Sequence, residues 1–140
     1  MARRAIPSSL QWLILLIGAA LMISIAAGAY EYLQGRHTAR LRAESLSGGN
    51  EGAGKSALVQ YGCGSCHIIP GVPGADGQVG PDLTHLGLRA QIGGRLANDP
   101  SNLINWLQDP QKVSPGCGMP KQPMPLRKAR DISAYLYSQK

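Results

Sequence analysis

The 140-residue chain predicts an all-α protein: a single N-terminal transmembrane helix, then a small domain of short helices joined by loops. Three observations carry that expectation. Residues 10–29 are almost continuously apolar. Farther on, apolar residues recur at helical spacing between clusters of Gly and Pro. No useful length of sequence alternates apolar and polar residues as a half-buried strand does, and no internal repeat is visible.

The elements follow in order. Residues 1–9 read as a short cytoplasmic N-terminus and 10–30 as a membrane anchor. Twenty helical residues extend about 30 Å, the thickness of a bilayer's hydrocarbon core. Trp12 sits at one end and Tyr30 and Tyr32 at the other, where interfacial aromatics belong. A cleaved signal peptide is the competing reading, with Arg3 and Arg4 as its basic start and Ala27-Gly28-Ala29 as its cleavage site. The apolar run exceeds the roughly 7–15 residues usual in a signal, which favours a retained anchor. Charge does not orient the helix, because arginines flank it on both sides (Arg3 and Arg4; Arg36, Arg40 and Arg42).

Residues 31–54 read as a polar stalk and a Gly/Ser linker. The stalk arginines suit phospholipid headgroups or plain solvation. The stretch SGGNEGAG at 47–54 has the composition of a flexible tether. Residues 49–56 also match the phosphate-binding pattern G-x-x-x-x-G-K-[ST], but that mechanism needs a preceding strand and a parallel sheet. A stalk precedes them, so no nucleotide is expected.

Residues 55–140 form the folded domain. A first helix should run from Lys55 to Gly62, and a short one from Leu83 to Leu88. Residues 71–81 and 113–125, rich in Gly and Pro, read as loops. Asp99 is a good N-cap with Pro100 at the first helical position, opening a helix that stops at Gln108 before Pro110. A last helix runs from Leu126 to Ser138, with Leu126, Ala129, Ile132, Ser133 and Leu136 on one face. A domain of this size is marginal alone. With no Phe in the chain, a large apolar cofactor would supply the missing core.

The net charge of +6 divides evenly between residues 1–47 and 48–140. That balance suits an acidic protein, anionic lipid or nucleic acid, but no nucleic-acid motif accompanies it. Arg127, Lys128 and Arg130, with Lys112 and Lys121, form either a docking patch or a solvated basic face.

The strongest chemical signal is Cys63-Gly64-Ser65-Cys66-His67. C-x-x-C-H attaches c-type haem. Thiols three positions apart can add to two vinyl groups on one porphyrin edge, and the next residue brings an imidazole to the iron. A thioredoxin-like pair would need a βαβ setting, which is absent. A zinc site would need four ligands, and adjacent Cys66 and His67 are awkward partners on one metal.

From about Gly52 onward the chain resembles small single-haem class I cytochromes c. The resemblance rests on YGCGSCH at 61–67, GPDL at 80–83, NLINWLQDP at 102–110, and PGCGMP at 115–120 followed by ARDISAYLY at 129–137. In detail it is similar to haem domains associated with haem–copper terminal oxidases. The resemblance implies the class I cytochrome c fold, with short helices packed around one covalent haem c. It implies iron ligation by His67 and Met119, with Met124, His85, His37 or an open position as alternatives. Pro81 would offer its carbonyl to the His67 ring, and Arg89 and Trp106 would meet the haem propionates. Arg89 as an ordinary surface charge and Trp106 as core packing are the plainer readings. Tyr61, Leu83, Leu86, Leu103, Leu107 and Leu136 are expected in the haem pocket or between helices. Cys117 departs from the family pattern and is left over after two thioethers form.

The function so implied is single-electron transfer in a respiratory chain, without catalysis by the domain itself. The expected partners are the membrane and redox proteins such as a terminal oxidase or a quinol-oxidising complex. A fixed subunit of an oxidase or dehydrogenase complex and a gas-binding haem sensor are the alternatives. Because c-type haem is attached outside the bacterial inner membrane, the domain is expected to face the periplasm on a single-pass anchor.

Overall fold

A computed structural model describes residues 7–139. Arg3 and Arg4 of the expected cytoplasmic N-terminus, and Lys140, lie outside the described residues. The chain divides into two compact units, Met1–Arg36 and His37–Lys140. The protein is mostly helical, with one long apolar N-terminal helix and one small sheet.

Helix α1 spans Ser8–Ser47. Among the described residues it alone is long and apolar enough to cross a membrane. In the first unit its large apolar side chains are exposed on every side, from Leu10 and Trp12 through Met22 to Leu33. A helix apolar all round is suited to lipid, since no one face is reserved for a protein core.

The second unit begins with the last turns of α1. Composition reads residues 47–54 as flexible linker, yet most of them are ordered by specific bonds. Ala43 and Ser47 are buried. The Ser47 hydroxyl donates to the Ala43 carbonyl at 2.8 Å and accepts from Gly49 N–H at 3.2 Å. Helix α2, Glu51–Gln60, starts four residues before the expected Lys55. Asn50 caps it by accepting from Ala53 N–H at 2.9 Å. The Glu44 carboxylate accepts from Glu51 N–H at 2.9 Å, and the buried Asp131 accepts from Asn50 N–H at 2.9 Å. Glycine content signals freedom only where nothing else holds the backbone. Here carboxylates satisfy the otherwise orphaned amides at the start of a helix.

Helix α3 (Pro100–Gln108) begins as expected, with Asp99 accepting from Asn102 N–H at 2.8 Å. Asp109 then caps a four-residue helix α4, Pro110–Val113, where the sequence suggested only the approach to a loop. Helix α5 is Leu126–Ser138. Its Ala129, Ile132, Ser133 and Leu136 are buried, but Leu126 is 47% exposed and lies outside the packed face. Helices α2, α3 and α5 enclose a core of Ala57, Leu58, Leu103, Leu107, Ile132 and Leu136. At the α2–α5 crossing, a Cβ on Gly54 would lie 1.9 Å from the Asp131 carbonyl oxygen, so only glycine permits this approach.

Two features depart from the all-α expectation. Strands β1 (Gln91–Ile92) and β2 (Leu96–Ala97) pair antiparallel, with Gln91 opposite Ala97 and Ile92 opposite Leu96. Two-residue strands are too short to register as alternation. The helix expected over 83–88 contracts to a 3-10 turn at Leu86–Leu88, because His85 adopts a left-handed φ of 55°.

Candidate functional site

The site starts where α2 stops. Gly62 takes a left-handed φ of 65°, which ends the helix and turns the chain into a 3-10 turn at Cys63–Ser65. Cys66 N–H and His67 N–H both bond back to the Cys63 carbonyl, at 3.3 and 3.1 Å. Both cysteines and His67 are half-buried and lie within one turn of backbone. Burial pushes the Cys63 thiol up.

The glycine-rich loop then folds back over this turn. Gly77 N–H bonds to the Gly64 carbonyl at 3.1 Å, Gly80 N–H to Cys66 at 2.8 Å, and Leu83 N–H to Ile68 at 2.9 Å. The His67 ring packs against Gly80, where a Cβ would come within 2.3 Å of Cε1. Nδ1 of His67 lies 2.7 Å from the Pro81 carbonyl oxygen. A carbonyl can only accept, so Nδ1 is the donor here, and in the neutral ring Nε2 would keep its lone pair for a metal.

Arg89 donates through Nη2 to the Asp82 carbonyl, and at 3.5 Å to that of Thr84. Hydrogen bonds from Thr84 hold the Asp82 carboxyl below its ordinary range, and the Arg89 charge adds to the effect. Asn98 Nδ2 donates to the Leu86 and Arg89 carbonyls at 2.7 and 2.8 Å, and its Oδ1 accepts from the Tyr137 hydroxyl at 2.6 Å. Burial pushes the Tyr137 phenol up to about 12. Trp106 is half-buried against the core, and its ring packs over Gly93.

The two methionines of the late loop separate cleanly. Met124 is 6% exposed and belongs to the core. Met119 is only half-buried and packs against the core's edge, as do Tyr61, Cys63, Leu83 and Trp106. Cys117 is a half-buried free thiol. Lys121 forms a 2.7 Å ion pair with Asp109, so its charge is matched. Arg127, Arg130 and Lys112 are exposed.

Sequence reasoning missed the residues that brace this site. Gln111 and Asn98 hold loop carbonyls through side-chain hydrogen bonds, and Tyr137 holds the Asn98 side chain in turn, contacts that leave no periodic or spacing signal. The donor set suits a porphyrin: two thiols three positions apart, an imidazole with Nε2 free, a methionine thioether, and a flank of half-buried apolar side chains. Cys63 and Cys66 would hold its edge, and His67 and Met119 its metal.

The chain aligns with a curated protein at 35% identity over 88 residues. It is similar to cytochrome c oxidase subunit 2 of Alkalihalophilus pseudofirmus. The aligned part is 62% of this chain but 25% of that oxidase subunit, so the chain spans about a quarter of its relative's length. No family model matches the chain, and no solved structure does.

Proposed function

We propose that the chain is a membrane-anchored single-electron carrier of a respiratory chain. It would hold one haem c through thioether links at Cys63 and Cys66, with His67 and Met119 as the residues that would hold its iron. When bound, the haem supplies a reversible one-electron change between ferrous and ferric iron. The Pro81 carbonyl fixes the orientation of the His67 ring by accepting from Nδ1–H. The Met119 thioether, neutral and soft, would favour the ferrous state and raise the potential. Arg89 and Trp106 are the residues offered to the propionates. Residues 10–30 anchor the chain in the bacterial inner membrane, and the domain of residues 55–140 faces the periplasm. Electrons would leave toward a terminal oxidase. With His67 and Met119 both committed to it, the iron would offer substrate no open position, and the domain would perform no catalysis of its own.

The observation that carries this reading is the His67 Nδ1–Pro81 bond at 2.7 Å within the C-x-x-C-H turn. It prepares one ring nitrogen as a ligand while the neighbouring thiols remain unpaired. The test is expression with intact haem-attachment machinery. An alkaline pyridine haemochrome spectrum is expected, and it should vanish in the Cys63→Ala/Cys66→Ala variant. Mature wild-type protein without that spectrum would end the proposal.

The similarity to an oxidase subunit favours a second arrangement, in which the same domain is a fixed part of a complex. Purification from native membranes separates the two. A free carrier elutes alone, whereas a fixed subunit brings the oxidase with it.

A further inference from the structure

Resting on the reading of Met119 as an iron ligand, we propose that Gln111 is the positioning residue for that ligand. Residues 115–120 (PGCGMP) contain two prolines and two glycines and form no helix or strand. Their described backbone bonding outside regular elements is a single turn, Cys117 N–H to the Ser114 carbonyl at 3.1 Å. A loop of that composition cannot hold a thioether in one place by propensity alone.

One side chain gathers it. Gln111 Nε2 donates to the Cys117 carbonyl and to the Met119 carbonyl, both at 2.7 Å, and lies 3.3 Å from the Cys117 sulfur. Its Oε1 accepts from Gly116 N–H at 2.9 Å. Both ends of the carboxamide are therefore used. Only one orientation satisfies them, because Nε2 faces carbonyls and Oε1 faces an N–H. The base is itself secured. Gln111 sits on α4, whose Asp109 cap accepts from Lys112 N–H at 3.2 Å and pairs with Lys121 at 2.7 Å. The bond to the Met119 carbonyl fixes the backbone of the ligand itself, with the residues before it held by the same group. Anchoring the Met119 backbone removes the loop's contribution to the sulfur's drift, leaving only the three side-chain torsions to be fixed by packing and ligation.

The test uses full-length, haem-loaded protein in detergent, with Gln111→Leu and Gln111→Glu beside wild type and Met119→Ala. Glutamate keeps the size of glutamine but turns a donor into a carboxylate facing two carbonyls. Three properties are read: the rate at which the reduced protein binds carbon monoxide, the midpoint potential, and the melting temperature. Wild type should bind slowly and Met119→Ala fast. Both Gln111 variants should bind about tenfold faster than wild type or more, the scale set by two neutral hydrogen bonds. Their potential should fall by about 59 mV for each tenfold loss of ferrous relative to ferric sulfur binding. Wild-type rate and potential in both variants, whatever their melting temperature, would overturn the role of Gln111. Failure of both variants to retain haem would also overturn it, by showing a structural rather than a positioning effect. Wild type binding as fast as Met119→Ala would instead overturn Met119 ligation itself.

Discussion

Gly54→Ala sets two physical effects of opposite sign against each other. Alanine is the better helix former, by about 0.8–1 kcal/mol in a helix interior, so propensity alone makes the variant more stable. Packing says the reverse. The new Cβ would lie 1.9 Å from the Asp131 carbonyl oxygen, 2.6 Å from its carbon and 2.9 Å from Tyr135 Cβ. Carbon atoms pack best at roughly 3.5–4.0 Å. The obstacle is backbone of α5, so the helices must part by more than an ångström along a seam that buries Ala57, Leu58, Ile132 and Leu136. Overpacking of a tight core costs typically about 1–3 kcal/mol, and occasionally more. Obstruction by backbone places this site at or above the top of that range. After the propensity gain, a net loss of about 2 kcal/mol remains, and each kcal/mol lowers Tm by roughly 4–8 °C in a domain of this size. Gly52→Ala is the internal control. Its nearest neighbour would be Asn50 Oδ1 at 3.5 Å, an ordinary contact. That variant should melt at or slightly above wild type. Thermal melts of the detergent-solubilised protein, followed by circular dichroism, decide the matter. If Gly54→Ala melts no lower than wild type, the close helix crossing is wrong.

Other outcomes follow from the same geometry. Asp99→Ala removes the bonds to Asn102 N–H and Asn102 Nδ2, at 2.8 and 2.6 Å, and should cost about 1 kcal/mol in chemical denaturation. Glu51 N–H, followed by Arg40, holds the Glu44 carboxyl below its ordinary range. A depressed folded-state pKa means stability that is present above the unfolded value and lost as pH falls through the folded one. Glu44→Gln should therefore melt below wild type at neutral pH, and the gap should close below about pH 4; an unchanged gap in acid would remove Glu44 from the account. If Arg127 and Arg130 dock an acidic partner, electron delivery should slow as salt rises past about 0.1 M, where the Debye length is about 10 Å. In that assay Lys121→Ala should matter less than Arg127→Ala, because Asp109 already pairs with Lys121; equal effects would contradict this.

The legible parts of the chain are those with local signals. Asp99-Pro100 announces a helix start through cap chemistry that needs no partner. The apolar run in α1 is legible from length alone, and α5 from its spacing, though Leu126 extends the pattern one residue past the packed face. The C-x-x-C-H spacing is a local signal, whereas the contact of His67 with the Pro81 carbonyl is one that only the family resemblance implies. What escaped depends on residues far apart in the chain. The linker is ordered by Asp131, 81 positions beyond Asn50, and by Glu44 from the previous helix. His85 shortens a helix by a backbone state that composition does not announce. Gln111 looks like any half-exposed glutamine until its four contacts, to Gly116, Cys117 and Met119, are placed.

The ordered junction between α1 and α2 bears on where the polypeptide can be cut. A soluble fragment designed from composition would begin in the Ser/Gly stretch, near Gly48. Such a fragment discards the Glu44 carboxylate that receives Glu51 N–H and the buried Ala43 and Ser47 side chains. It would leave only Asn50 and Asp131 to close the front of the first domain helix. Starting instead at His37 retains every one of these groups, and the same logic marks the glycines around residue 48 as a poor target for proteases despite their composition.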